Sequence, residues 1–349
     1  MRWMIYGANG YTGRLIANEA SRRGMHPVLA GRNEQQVARL AGELGFDHQI
    51  FDLDEQTRLR HAITGKKLVL HCAGPFSATC EPMMEACLSE GVHYLDITGE
   101  IAVFEAAHRL HERARHADVV LMPGAGFDVV PSDCLAVKLA DALPAATHLQ
   151  LAFEAGGGSS PGTVKTSVET LGNGGLVRRG GSLHKVPLAW KTRTIPFAHA
   201  KRTGVTIPWG DVYTAHISTG IPDIEVYISM RPGMISNLRR LRWIQRFLQM
   251  GPVQTMMAKW IEKHVNGPAA PARKNSLSQL WGEANTSDGR SVQATMTTPN
   301  GYDLTVTASL GAVDFLLKND MEGGFYTPSL LLGADYASSL PGVEFSFVS

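Results

Sequence analysis

The sequence predicts an α/β protein in which a Rossmann-like, doubly wound parallel sheet is followed by a second, mixed α/β domain. Over the first 145 or so residues, short apolar runs alternate six times with segments of helical periodicity, the pattern of strand–helix units in a parallel sheet. From about residue 147, longer alternating strands and Gly-rich loops replace that pattern. The change of pattern predicts two domains.

The strand–helix units are read in chain order from Trp3 onward. Residues 3–6 form a short apolar run, and Leu15, Ile16 and Ala20 lie at helical spacing after it. The later pairs read HPVLAGR with NEQQVARLAGEL, HQIFDL with DEQTRLRHAI, KLVLHCAGPF with CEPMMEACLSEG, HYLDITG with IAVFEAAHRLHERARH, and VVLMPGAG with SDCLAVKLADAL.

The helix starts agree with this order. Asn33 followed by Gln36 resembles a capping box, and Ser132 or Asp133 is expected to cap the helix after Pro131.

In the second part of the chain, four segments read as strands: THLQLAFEA, IEVYISM, SQLWGEAN and SVQATMTT. The last two are joined by an Asp-Gly hairpin turn in SDGR, and two helices are expected between residues 235 and 264.

The predicted domain bounds follow from these elements. Residues 1–145 are expected to form the first domain and residues 146–317 the second. Thr327 is placed as the N-cap and Pro328 as the first residue of a closing C-terminal helix. We expect that helix to return to the first domain, so that residues 318–349 pack back on it.

Composition excludes several classes of partner. Among 349 residues, 33 Lys and Arg nearly balance 32 Asp and Glu, so no global field attracts nucleic acid. The four cysteines show neither a C-x-x-C pair nor zinc spacing, and no leader-like segment opens the sequence. No apolar run approaches the roughly 18 residues of a transmembrane segment. We therefore expect a cytoplasmic protein with reduced thiols.

The stretch MIYGANGYTG places Gly7, Gly10 and Gly13 between the first strand and the first helix. In a dinucleotide-binding turn, the first glycine permits the tight turn, the second lets the backbone approach a pyrophosphate, and the third allows close packing of helix on strand. The helix N-terminus then offers N–H groups to the anion. The predicted cofactor-binding residues of this turn are Gly7, Asn9, Gly10, Tyr11, Thr12 and Gly13.

The end of the second strand predicts which dinucleotide binds. A carboxylate there accepts hydrogen bonds from the ribose 2′-OH, whereas an arginine accommodates a 2′-phosphate. The segment LAGRN has no acidic residue and carries Arg32 followed by Asn33. A surface charge is the alternative role for Arg32. We predict NADP(H) as the cofactor, bound by both residues.

Further cofactor contacts are expected at the ends of the third and fourth strands, because ligands lie over the carboxyl ends of such sheets. Asp52 is predicted on the adenine side. The nicotinamide side is predicted to be formed by Cys72, Ala73, Gly74 and Pro75, with the Cys72 thiol itself read as a small core group.

Seven motifs in this order resemble the saccharopine dehydrogenase-like oxidoreductases, in particular the trans-acting enoyl reductase branch: GANGYTGRLIA, LAGRN, CAGPFS, GVHYLDITGE, PGAGFDVVPSD, WGDVYTAHISTGIPDIEVYI and GGFYTPSLLLG. The first motif alone also suits atypical short-chain dehydrogenases and NADP sensors; the other six are specific. The resemblance implies an NADP(H)-binding Rossmann domain, a second α/β domain for substrate and dimerisation, and hydride transfer to a C=C or C=N bond. It carries over Gly7, Gly10, Gly13 and Arg32 as cofactor residues, and Gly74 and Pro75 as the turn near the nicotinamide.

A reductase also needs a proton donor near its acceptor atom. Asp96, flanked by the strand residues Leu95 and Ile97, is expected to point off the sheet near the cleft and is the first candidate, with Asp128 next. Glu100 and Asp133 read as helix caps. A Tyr-x-x-x-Lys pair does not occur in the sequence, which argues against the short-chain dehydrogenase mechanism.

Two further segments have alternative interpretations. DVYTAHISTG either contributes Tyr213, His216, Ser218 and Thr219 to the substrate side or forms a covering strand and turn. His108 and His111, in AHRLHERARH, are interpreted as a solvated helix face rather than a metal site, because no further histidine–carboxylate set completes a ligand shell. No metal is predicted.

An amphipathic basic helix is predicted at residues 238–249, with a second apolar helix after it. Residues 238–262 fit a core or dimer contact, and alternatively a peripheral membrane contact or an acyl-chain site. The leading hypothesis is an NADP(H)-dependent reductase of a C=C bond in a bulky or lipid-like small-molecule substrate, acting as a homodimer. The alternatives are an imine or amino-acid dehydrogenase of the saccharopine type and a non-catalytic NADP sensor.

Overall fold

A computed structural model describes residues 2–156, 158, 160, 162–164, 168, 174–244, 250–265, 267–269, 271, 273 and 276–348. Its contacts divide into two compact units. Unit 1 comprises Met1–Val130 and Leu304–Leu332, and unit 2 comprises Pro131–Asp303 and Gly333–Ser349. These bounds differ from the predicted 1–145, 146–317 and 318–349; the assignment of cofactor and substrate roles to the two parts stays a prediction.

Unit 1 contains one sheet of seven parallel strands in the order β15-β6-β5-β4-β1-β2-β3. The order reverses between β1 and β4, which is the switch point of a doubly wound sheet. This confirms the predicted fold class. The strands are β1 (Trp3–Tyr6), β2 (Val28–Gly31), β3 (His48–Ile50), β4 (Leu68–His71), β5 (His93–Asp96), β6 (Val120–Met122) and β15 (Gly324–Phe325).

The central strands of this sheet are buried along their whole length, because helices cover both faces of a parallel sheet. The predicted helix over residues 101–116 is wrong in one respect. It is two helices, because the Leu110 amide bonds the carbonyl of Ala107 and tightens the chain there. The first helices of unit 1 are α1 (Tyr11–Arg22), α2 (Glu34–Leu44), α3 (Gln56–Ile63), α4 (Phe76–Glu90), α5 (Ile101–Arg109) and α6 (His111–His116). The next helix, α7 (Val130–Ala142), belongs to unit 2 apart from its first residue.

Two of the predicted helix caps are confirmed. Asn33 Oδ1 accepts a hydrogen bond of 3.0 Å from Gln36 N at the start of α2. Thr327 Oγ1 accepts one of 3.4 Å from Leu330 N, and Pro328 is the first helical residue after it. The cap predicted at Ser132 or Asp133 is wrong, because α7 already begins at Val130.

Unit 2 contains a mixed nine-stranded sheet with the path β10-β11-β12-β7-β13-β14-β16, while β8 pairs with β12 and β9. The predicted strands at β7, β12, β13 and β14 are confirmed; β8 to β11 and β16 were missed. The strands are β7 (His148–Glu154), β8 (Gly175–Arg179), β9 (Ser182–Val186), β10 (Thr192–Pro196), β11 (Lys201–Thr206), β12 (Asp223–Ser229), β13 (Leu277–Asn285), β14 (Ser291–Pro299) and β16 (Glu344–Val348).

The segment DVYTAHISTG is a helix, so its interpretation as a covering strand is wrong. Its valine, isoleucine and threonines favour a strand locally, but Gly220 ends a helix in the left-handed conformation, with φ of 73°. The later helices are α8 (Asp211–Thr219), α9 (Pro232–Leu241), α10 (Gly251–His264), α11 (Gly301–Lys318), α12 (Pro328–Leu332) and α13 (Tyr336–Ser339), with a 3-10 turn at Arg242–Ile244.

The structure describes only the first part of the predicted basic helix at 238–249. Leu238 packs against the cluster of Ala189, Val205 and Ile235 in unit 2. Residues 245–249, including Arg246, Phe247 and Leu248, lie outside the described residues. Among the helices that the structure describes, none is both long and apolar enough to cross a membrane.

Candidate functional site

The glycine turn joins the end of β1 to the start of α1. Gly7 has a φ of 79°, a conformation that favours glycine, and its N–H and that of Ala8 both donate to the carbonyl of Ala30, at 2.8 and 3.1 Å. Gly10 precedes α1 as its N-cap and makes no side-chain cap hydrogen bond. The N-terminus of α1, which is its positive end, therefore lies at the carboxyl edge of the sheet, where such an end suits an anion.

The three glycines meet different requirements. A Cβ on Gly7 would lie 2.7 Å from Ala73 N, and a Cβ on Gly13 would lie 2.3 Å from the carbonyl oxygen of Gly7. Both positions therefore need glycine for packing inside the protein. Gly10 is exposed, and among the described residues its Cβ would meet only the Gly7 carbonyl oxygen, at 3.2 Å. Its open side suits the approach of a pyrophosphate, so this cradle fits a dinucleotide.

The neighbouring polar residues fix the turn against α2. Asn9 Nδ2 donates to Gln36 Oε1 at 3.0 Å, and Asn9 Oδ1 would lie 2.8 Å from a Cβ on Gly31. Tyr11 and Thr12 are half-buried in the first turn of α1. The predicted residues of the turn therefore occupy one continuous segment.

The structure brings Arg32 and Asp52 together at the adenine end. Arg32 follows β2 with 74% of its side chain exposed, and its Nη1 lies 3.8 Å from Asp52 Oδ2. Asn33 uses its side-chain oxygen to cap α2. An exposed arginine in this position suits a 2′-phosphate, and the nearby carboxylate would orient the guanidinium while weakening its net attraction for an anion. The role of Arg32 stays a prediction.

The loop after β4 carries the four residues predicted on the nicotinamide side. Cys72 N donates to the carbonyl of Tyr6 at 2.8 Å, which joins this loop to the end of β1. Burial, assisted by Asp96, raises the pKa of the Cys72 thiol well above its ordinary value, so the thiol stays protonated. The loop continues through half-buried Ala73 and exposed Gly74 into Pro75, with a cis peptide bond before the proline.

Asp96 ends β5 and is fully buried. Its Oδ1 accepts hydrogen bonds from Thr98 N and Gly124 N, both at 2.9 Å, and its Oδ2 accepts one from Tyr94 Oη at 2.7 Å. The expectation that this side chain points off the sheet toward a cleft is wrong, because both oxygens hold donors of unit 1. Burial raises the pKa of Asp96 to about 7 against the lowering effect of these hydrogen bonds. Its catalytic role stays a prediction.

Asp128 lies in the loop after β6 and is half-buried. Its Oδ2 would lie 3.2 Å from a Cβ on Gly99, so the loops after β5 and β6 are in contact. Burial raises the pKa of Asp128 to about 7, and the negative charge of Glu100 adds to the effect. A carboxyl group with this pKa can carry a proton near neutral pH.

Glu100 is a cap, but for a different helix than predicted. Its carboxylate accepts from Phe76 N at 3.1 Å and from Ser77 N at 2.7 Å, at the N-terminus of α4. Asp133 likewise has another role, accepting a hydrogen bond of 2.6 Å from Ser218 Oγ within unit 2. Sequence spacing reveals neither pairing, because each partner comes from a distant element.

The remaining polar candidates make contacts within the folded protein. His108 stacks on Phe325, and His111 Nδ1 accepts from Phe325 N at 3.1 Å, so both histidines hold β15 rather than form a solvated face. In unit 2, His216 and Thr219 bond backbone carbonyls of their own segment. Among the described residues, no group of three or more histidine, cysteine or acidic side chains is arranged to hold a metal ion.

The raised pKa of Asp96 predicts a pH dependence of stability. Between about pH 4 and 7 the folded state binds this proton more tightly than the unfolded state, so the free energy of unfolding falls as the pH rises. Asp96→Asn should reduce that slope by up to about 1.4 kcal/mol per pH unit. Urea unfolding across this range measures it, with the exposed Asp54→Asn as control. An unchanged slope in Asp96→Asn would contradict the assignment.

A doubly wound sheet with a glycine turn at its switch point and an arginine after the second strand defines a dinucleotide-binding domain. Residues 3–122 match the family model described as the saccharopine dehydrogenase NADP binding domain. Over these residues the sequence therefore resembles an NADP-binding domain of the saccharopine dehydrogenase type, which confirms both the predicted resemblance and the predicted cofactor.

Named relatives cover part of the chain. A saccharopine dehydrogenase-like oxidoreductase of Rattus norvegicus is 29% identical over 152 residues, 37% of this chain and 35% of the relative. The trans-acting enoyl reductase of Mycobacterium ulcerans is 28% identical over 138 residues, 37% of this chain and 33% of the relative. The chain thus matches about a third of the length of these relatives.

A solved structure matches the whole chain. Saccharopine dehydrogenase (L-Glu forming) from Saccharomyces cerevisiae, in its apo form, superposes with a TM-score of 0.68 at 12% identity, covering 100% of both chains. At this identity the likeness concerns the fold, and it confirms a Rossmann-like domain accompanied by a second α/β domain.

Proposed function

We propose that the protein is an NADP(H)-dependent oxidoreductase that reduces a C=C bond of an enoyl-type, bulky or lipid-like substrate. The observation that carries this proposal is the placement of the glycine turn, Arg32 and Asp128 at the carboxyl edge of one sheet, in a domain of the NADP-binding type. NADPH, when bound, supplies the hydride. The chain contributes binding, orientation and a proton.

The binding roles follow the positions of the residues. The turn at Gly10 and the N-terminus of α1 would hold the pyrophosphate, and Arg32 would hold the 2′-phosphate. The loop from Cys72 to Pro75 would fix the nicotinamide side. Orienting donor and acceptor in this way accounts for a large part of the rate in reactions of this kind.

Asp128 is the proposed proton donor. Its pKa of about 7 leaves a substantial protonated fraction at neutral pH, and the residue is half-buried. Asp96 has a similar pKa but is fully buried with both oxygens bonded. We therefore assign Asp96 to holding the loop after β6, which carries Asp128.

A lipid-like substrate is supported by exposed apolar side chains of unit 2. Trp243 is 92% exposed and Trp260 is 59% exposed, and Arg231 and Arg240 are exposed on the same stretch of chain. Tryptophan and methionine beside arginine suit a peripheral contact with an anionic lipid surface. This contact, a homodimer and a cytoplasmic location are parts of the proposal. The exposed methionines are Met234, Met250 and Met256.

The decisive assay follows NADPH oxidation over enoyl thioesters, long-chain enones and imines, offered in solution and in anionic vesicles. Oxidation with an enoyl substrate is expected, with Asp128→Asn lowering turnover about a hundredfold while NADPH binding is kept. Asp314→Asn serves as the control, because half-buried Asp314 lies on α11 and pairs with Lys318.

Other outcomes of the assay favour the alternatives. Oxidation with imines alone would indicate a saccharopine-type dehydrogenase. Tight NADPH binding without oxidation of any compound would indicate a non-catalytic NADP sensor. Full turnover of Asp128→Asn would remove this residue as the proton donor.

A further inference from the structure

Beneath the loop at residues 72–75 lies a buried chain of hydrogen bonds that the sequence did not reveal. His71, the last residue of β4, has no exposed surface, and its Nε2 lies 3.0 Å from Thr79 Oγ1. Thr79 Oγ1 in turn lies 2.7 Å from the carbonyl oxygen of Ala73 and 3.1 Å from that of Pro75. One hydroxyl therefore connects the strand end to both ends of the loop.

The direction of each hydrogen bond follows from counting protons. Carbonyl oxygens only accept, so the single hydroxyl proton of Thr79 is shared between Ala73 and Pro75. The contact with His71 then requires Nε2–H to donate to the hydroxyl oxygen. Nδ1 is left as an unprotonated acceptor; it is buried and has no hydrogen-bond partner in the part of the chain described. The geometry thus fixes one tautomer of a neutral imidazole.

The surroundings of His71 keep the ring in place. Its ring centroid lies 5.5 Å from that of Tyr6, 5.4 Å from that of Phe76 and 6.1 Å from that of Tyr94. Burial among these rings lowers the pKa of His71 to about 3, so it stays neutral near neutral pH. The imidazole is therefore a fixed donor at the strand end.

We propose that His71 and Thr79 form a positioning pair that holds the loop from Ala73 to Pro75 in the shape that binds the nicotinamide half of the cofactor. The Thr79 hydroxyl bonds the carbonyls of Ala73 and Pro75 on the inner side of the loop, and Gly74 between them is exposed. In this role both side chains act through the loop. The inference rests on the proposed function, because it assigns the loop to the nicotinamide.

The test compares NADPH with 2′,5′-ADP, which lacks the nicotinamide half. Thr79→Val keeps the branched shape but removes the hydroxyl, so the two carbonyls lose their shared donor and His71 loses its acceptor. Calorimetry should show roughly tenfold weaker NADPH binding, which corresponds to about 1.4 kcal/mol, and unchanged 2′,5′-ADP binding. Thr79→Ser restores the hydroxyl and should restore NADPH affinity.

A second measurement reports directly which nitrogen of the His71 ring carries the proton. Nitrogen chemical shifts of the His71 imidazole should show a protonated Nε2 and an unprotonated Nδ1 near neutral pH, and a protonated Nδ1 would overturn the proposal. Equal loss of both ligands in Thr79→Val, or loss of neither, would also overturn it. A parent protein that binds neither ligand would overturn the proposed function, and the role of the pair with it.

Discussion

Gly10→Val is expected to abolish NADPH binding while the protein stays folded. The valine side chain would occupy the open side of the turn, where the backbone has to meet the pyrophosphate without a Cβ between them. The backbone conformation allows the change, because Gly10 has a φ of −68°. A new Cβ would lie 3.2 Å from the Gly7 carbonyl oxygen, which is tight, so that oxygen has to move by a few tenths of an ångström. The cost in stability should be about 1 kcal/mol, that of a poorer N-cap residue. Calorimetry with NADPH measures the loss.

The other glycines provide the comparison. Gly13→Ala places a Cβ 2.3 Å from a backbone oxygen and should cost roughly 1 to 3 kcal/mol of stability. Gly42→Ala, inside α2 with nothing within 4 Å, should keep binding and gain about 0.5 to 1 kcal/mol. Retained NADPH binding in folded Gly10→Val would mean that the cofactor lies elsewhere.

Arg32→Asp is expected to reverse the preference for NADPH over NADH. The guanidinium and a 2′-phosphate form charge-assisted hydrogen bonds worth roughly 1.5 to 3 kcal/mol, or about 10- to 150-fold in affinity. The introduced carboxylate repels the phosphate and can accept hydrogen bonds from the ribose of NADH. Dissociation constants of the two cofactors, measured for parent and variant, give the reversal.

A matched control separates this contact from a change in net charge. Arg39→Asp makes the same charge change on the exposed face of α2, where Arg39 pairs with Glu43. It should leave the preference unchanged. If the parent binds both cofactors equally, or if both variants shift the preference alike, Arg32 does not hold the 2′-phosphate.

The strand–glycine turn–helix segment and the type of cofactor could be predicted because their signals are local. The glycine spacing, the cap at Asn33 and the absence of an acid after β2 all lie within single strand–helix units. The orientation of Asp96 could not be predicted, since it depends on the amide of Gly124 in a loop 28 residues away. The contacts of His71 and Glu100 could not be predicted for the same reason. His71 contacts Thr79, and Glu100 accepts a hydrogen bond at the start of α4.

The second unit was predicted less completely for a related reason. Strands β9 and β10 are short and mostly exposed or half-buried, so they lack the apolar runs that reveal buried strands. The helix at Asp211–Thr219 carries residues with strand preference, and glycines at its ends decide its conformation. Local periodicity predicts secondary structure poorly where long-range strand pairing or helix caps decide the conformation.

Unit 1 is discontinuous in sequence, and this affects how it is made. Leu310, Val313 and Leu316 of α11 share one hydrophobic cluster with Trp3 and Ile5 of β1. About 300 residues separate the two, so at roughly 5 to 20 residues per second a ribosome needs roughly 15 to 60 seconds between synthesising them. During that interval the apolar face that α11 covers has to be kept from aggregating, and the unit can complete its core only after most of the chain has emerged.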